Sequence, residues 1–241
     1  MPIHNELEKI LTWLLQSSTE VSTWILLLVL ILGALIALAP ISWSKTNLLS
    51  TWAHEIGHAV TALVLGRGVK KIVIRKDGSG YTEHEGENKK IRLALISFAG
   101  YPSPGFFGLT IILGVTYNRI NIIIAAISLL AIITLILQRS ILALGLTISI
   151  LLASTILVLV PETISVCALT AVAGYLLLSS PKTIIALHEN RKINKQLNKQ
   201  NHSDASDLAK MTKIPSIFWE TIFMIVSLVL IYVSTYFLIY A

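Results

Sequence analysis

The chain has 241 residues, of which 54 % are hydrophobic and only 13 % charged, and it carries a formal net charge of +6. Soluble domains have about a quarter of their residues charged, so this composition excludes a water-soluble globule and reads as an all-α polytopic membrane protein. The lone Cys167 sits in an apolar run and excludes both an intramolecular disulfide and a cysteine-based metal site.

In residues 1–20, Glu6, Glu8 and Glu20 outnumber Lys9, the one base. That segment lacks the basic start and short apolar core of a cleavable signal peptide. Seven apolar stretches follow, at about 24–40, 48–66, 92–116, 120–137, 140–160, 163–180 and 216–240. Each is near the ~20 residues that cross a bilayer, so about seven transmembrane helices are expected, in a single membrane-embedded domain over 1–241. Arg67, Lys70, Lys71, Arg75, Lys76, Lys89, Lys90 and Arg92 crowd the loop 66–92, and seven more bases crowd the loop 181–213. Lys45 and Arg119 alone fall on the opposite side of a seven-span chain. The positive-inside rule then puts the N-terminus in the cytoplasm and the C-terminus outside, in what is expected to be the plasma membrane. The bases face anionic lipid, so the net charge gives no reason to invoke nucleic acid.

The second stretch contains His54-Glu55-Ile56-Gly57-His58. Residues i and i+4 share one face of a helix, so two imidazoles can reach one metal ion. Glu55 stands beside that ion without binding it, as general base. Chance predicts roughly 0.006 such matches in a chain of this composition. A purely structural cluster would have to account for three ionisable groups at bilayer depth, each costing on the order of 2 to 3 kcal/mol there. A zinc ion is therefore the expected cofactor.

Residues 69–84 alternate β-branched with basic side chains around Asp77-Gly78 and Gly80, and read as a β-hairpin. Its edge could hold an extended substrate by strand addition, or the hairpin could be a plain connector. Ala99-Gly100-Tyr101-Pro102-Ser103-Pro104-Gly105 cannot run as an unbroken helix. A kink closely packed through glycine is the simpler reading there, and a water-lined break serving hydrolysis the sharper one.

A catalytic zinc usually has three protein ligands, so a third must come from elsewhere. Asp77 is better explained as a turn residue. Glu83, Glu85 and Glu87 lie in a lysine-flanked loop, Glu162 on the outer side, and His188 and Glu189 in an amphipathic stretch expected at the membrane surface. Asp204 and Asp207, in the cytoplasmic loop 181–213, remain; either could instead cap a short helix with Ser203.

HEIGHAVTALVLGRGVKKIVIRKDGSGYT, AGYPSPGFFG and HSDASDLAKMTKIPSIFW together resemble the M50B-like peptidases of the site-2 protease superfamily, from about Trp52 to Trp219. The resemblance implies an intramembrane zinc metalloprotease with His54, His58 and Asp204 as ligands and Glu55 as base. It also implies a membrane-protein substrate cut in or near a transmembrane segment. The Leu-Asp-Gly that carries the third ligand in well-studied members is missing from this chain. A zinc-binding scaffold or sensor of the same fold is the alternative, although a structural site has no need of Glu55. An ion transporter is a more distant one, since no internal repeat is found.

Overall fold

The computed structural model describes residues 2–87, 89–197 and 203–241. The chain opens with α1 (Pro2–Leu15) and continues into α2 (Thr23–Leu38), whose sequence is apolar on every face. A single extended residue, Ala39, separates α2 from α3 (Pro40–Val64), and Pro40 suits a first helical position because its missing N–H would have no partner there. The HExxH motif lies on α3.

The hairpin follows as β1 (Gly68–Ile74) and β2 (Gly80–Glu85), antiparallel, with Ile72 opposite Thr82 and Val69 opposite His84. Asp77 closes its turn, accepting from the Ser79 amide at 3.0 Å and the Ser79 hydroxyl at 2.7 Å. These bonds hold the Asp77 carboxyl below its ordinary pKa. The helices α4 (Lys90–Ala99) and α5 (Ser103–Thr116) meet at 61° across Gly100-Tyr101-Pro102, the break the prolines predict.

Next come α6 (Ile120–Leu135), α7 (Ile141–Leu159) and α8 (Glu162–Gln196). The last elements are α9 (Asp204–Thr212) and α10 (Ser216–Tyr240). Of these, α8 runs 35 residues straight through Pro181, so residues 181–196 continue a helix instead of forming a loop.

Three helices, α7, α8 and α10, are long and apolar enough to cross a membrane among the described residues, and the bent pair α4–α5 makes a fourth. The apolar α2 and α6 are 16 residues each, shorter than a span normally needs. At 25 residues α3 is long enough, but His54, Glu55, His58 and its hydroxyl side chains make it too polar to qualify. The structure thus supports three or four spans where the apolar stretches predicted seven.

A second expectation is corrected by contacts at the two ends of the helices. The Ser18 amide donates to Asn118 O at 2.9 Å, and Thr19 Oγ1 donates to Glu162 Oε2 at 2.9 Å. The start of α2 therefore shares an end with the α5–α6 turn and the start of α8. At the other end Lys182 Nζ donates to Ala37 O at 2.6 Å. So α2 runs parallel to α8, and an N-terminus on the opposite side from Arg119 and Glu162 is incompatible with these contacts. The sequence reading counted α3 as a full crossing. Instead α3 starts at the Lys182 end, and the strand after it is tied to that end as well, since the Ile72 amide donates to Leu137 O at 2.8 Å and the Ile74 amide to Ser140 Oγ at 3.0 Å.

The large apolar core joins α2, α3, β1, α5, α6, α7, α8 and α10. A small second core, with Ile184, Ala205, Leu208 and Phe223 buried at its centre, packs α9 against α4, α8 and α10.

Candidate metal centre

One helical turn on α3 sets His54 over His58, their Nε2 atoms 3.0 Å apart. The His58 ring is oriented from behind, where Nδ1 donates to Ile96 O of α4 at 2.7 Å and leaves Nε2 facing its partner. The His54 ring stands edge-on to Tyr101, 4.9 Å between centroids. Gly100 covers both imidazoles so closely that a Cβ on it would fall 2.5 Å from His58 Cε1 and 2.6 Å from His54 Nε2. The break between α4 and α5 thus has a direct purpose: it lays bare backbone against the two rings.

Asp204 arrives on a separate element. It is the first residue of α9, whose preceding residue, Ser203, caps the helix by accepting from the Ser206 amide at 3.3 Å. Asp204 Oδ2 lies 3.0 Å from His54 Nε2 and 3.4 Å from His58 Nε2. Among the described residues these three form the one group able to hold a metal, with donor atoms within 4.8 Å of one another. A tetrahedral ion with ligand bonds of about 2.0 to 2.1 Å needs donors about 3.3 to 3.4 Å apart. The observed separations of 3.0, 3.0 and 3.4 Å come close to three corners of that tetrahedron. Two nitrogens and one carboxylate oxygen, with a corner left open, fit a catalytic zinc.

Glu55 is buried beside this group. Its carboxylate accepts from Thr82 Oγ1 of β2 at 2.7 Å, so the hairpin orients the acid. The hairpin folds back along α3, its turn fixed by Thr51 Oγ1 donating to Gly78 O at 2.7 Å. The whole group opens into a cavity of about 850 Å³ between the hairpin and the part of α8 beyond Ser180.

The other acidic candidates stay away. Glu83 pairs with Lys71 at 2.8 Å and Glu85 with Lys70 at 3.1 Å, both at the surface. The Lys71 ammonium holds the Glu83 carboxyl below its ordinary pKa. Glu87 pairs with Lys89, Glu162 holds Thr19, and His188 is bonded to the buried Glu220 at 2.9 Å. Asp207 lines the same cavity but pairs with Lys210 at 3.0 Å. Residue-type reasoning did not single out Thr82, Gly100 or Tyr101. The signals available were the glycine-proline break and a hairpin placed directly after the motif helix.

A family model described as Peptidase M50B-like matches residues 21–234. The chain belongs to the Peptidase M50B-like family. The match covers α2 through most of α10, so it includes both the HExxH helix and α9. Membership makes this M50B-like chain a membrane metallopeptidase by family. No curated protein and no solved structure matches it.

Proposed function

We propose that this M50B-like protein is an intramembrane zinc metalloprotease, cutting a peptide bond in or near a transmembrane segment of another membrane protein. The reading rests on one observation: His54, His58 and Asp204 converge from α3 and α9, with the carboxylate of Glu55 buried beside them. We assign the first three as metal ligands and Glu55 as the general base. When bound, zinc would polarise the scissile carbonyl and acidify a water molecule. Glu55, steadied by Thr82, takes a proton from the attacking water and passes it to the amide nitrogen as the C–N bond breaks. Gly100 and Tyr101 hold the imidazoles still while this happens.

The hairpin suits an extended substrate. The outer edge of β1 is already occupied, Ile72 donating to Leu137 O and accepting from the Arg139 amide at 3.0 Å. The outer edge of β2 has no strand partner among the described residues and borders the cavity. A substrate unwound from its helix could add there as a third strand.

The basic hairpin and the basic end of α8 share one end of the molecule, which the positive-inside rule assigns to the cytoplasm. Both termini then lie on the other side, because α10 runs from Glu220, near His188, to Phe237, near Tyr117. The deciding experiment is Glu55→Gln in the full chain, co-expressed with a model single-span substrate. Zinc should remain at about one per chain and cleavage should fall by at least about 100-fold, the size of a general-base contribution. Undiminished cleavage would remove Glu55 from the mechanism.

A further inference from the structure

On β2, residues two apart share a face. Thr82 turns that face toward α3, where it bonds Glu55, so His84 faces α3 too. Two strand residues advance about 6.6 Å and one helical turn about 5.4 Å, which brings His84 alongside His58. His84 lines the same cavity as His54, Glu55 and His58.

Its ring is oriented by a neighbour. Arg67, buried at the end of α3, donates from Nε to His84 Nδ1 at 3.2 Å, and its terminal nitrogen holds Glu87 O. An arginine can only donate, so Nδ1 is the acceptor and a neutral His84 carries its proton on Nε2. We propose that His84 is a further catalytic residue, whose Nε2–H donates to the oxyanion that develops on the scissile carbonyl.

This assignment rests on the hydrolase reading given above. When water oxygen bonds to the carbonyl carbon, the C=O π pair moves onto oxygen, and that charge needs a donor fixed in place beforehand. On collapse the C=O re-forms, the C–N bond breaks, and the nitrogen takes the proton held by Glu55. His84 donates a hydrogen bond throughout and transfers no proton. The Arg67 guanidinium held against Nδ1 opposes a second proton there, which keeps His84 in its donor form. The bulge that breaks the register between Val69 and Lys71 lies in β1, so it leaves the alternation of Gly80, Thr82 and His84 intact.

Two probes test this on the zinc-loaded full chain in detergent: a peptide phosphonamidate, whose tetrahedral anionic oxygens imitate the oxyanion, and a planar hydroxamate with the same side chains. His84→Ala should weaken the phosphonamidate at least about tenfold and the hydroxamate less than about twofold, with zinc still near one per chain. His84→Gln, which keeps an N–H donor and guards against a folding defect, should recover part of the loss. Nitrogen-15 NMR of the His84 ring should show the Nε2–H tautomer, and Arg67→Gln should disturb it. Equal effects on both probes, no effect on either, or an Nδ1–H ring overturns the role of His84. If the unaltered chain holds no zinc and binds neither probe, the hydrolase reading itself is what fails.

Discussion

His54 and His58 reach the centre from one continuous helix inside the large core, whereas Asp204 reaches it from the tip of a nine-residue helix supported by the small second core. The imidazole pair is fixed by helical periodicity and by Gly100 and Ile96 packed behind it. The carboxylate has no such local guarantee. Its place depends on Ala205 and Leu208 packing on Ile184 and Phe223, that is, on α8 and α10 being in place. A site built this way has a rigid half and a half whose position reports tertiary packing.

The largest expected effect comes from breaking the rigid half. His58→Ala removes one of three donors and leaves the Ile96 carbonyl without its partner. Zinc measured on the purified chain should fall from about one per molecule to near none, with His54→Ala behaving alike. Asp204→Ala should also abolish stoichiometric zinc. Its contrast with the histidines is in the apo protein: the tip of α9 is half-buried and capped by Ser203, so folding in the absence of metal should barely change.

Phe223→Ala should separate the two halves without touching a proposed ligand. Phe223 is fully buried, stacks on Tyr101 at 5.0 Å and packs against Phe98 at 5.4 Å. Truncating a buried phenylalanine costs about 3 to 5 kcal/mol. The thermal midpoint should drop, and zinc affinity should drop with it, because α9 loses its seat. Added zinc should restore part of the midpoint by mass action. A fall in midpoint with zinc affinity unchanged would mean that α9 is held by something other than this cluster.

The same division explains what could be read from the sequence. The motif helix, the hairpin and the break at Gly100 are local patterns: a spacing of four, a period of two, a pair of prolines. Each lies where the residues put it, the hairpin at 68–85 against an expected 69–84. Asp204 and Asp207 are alike in local terms, and resemblance alone ranked Asp204 first; the contact with both imidazoles is tertiary. The side given to the N-terminus relative to Arg119 and Glu162 failed for a related reason. Counting apolar stretches treats each as a full crossing, but α3 carries the polar site and stays at the end that Lys182 and Ser140 mark. One crossing too many inverts every element before it, and nothing within residues 1–20 shows that they meet Asn118 and Glu162.

The smallest expected effect is the sharpest check on the comparison. Asp207 is one turn from Asp204 on α9 and faces the same cavity, so a site held only by a diffuse acidic charge would feel its loss. Its carboxylate is instead 51 % exposed and bonded to Lys210, itself 64 % exposed, a surface pair three residues apart. Such pairs contribute about 0 to 1 kcal/mol. Asp207→Ala should therefore leave zinc at about one per chain and shift the thermal midpoint by no more than a surface pair can. Zinc loss equal to that of Asp204→Ala would mean that α9 presents its two carboxylates interchangeably, and that the contacts of Asp204 with His54 and His58 are not what defines the site.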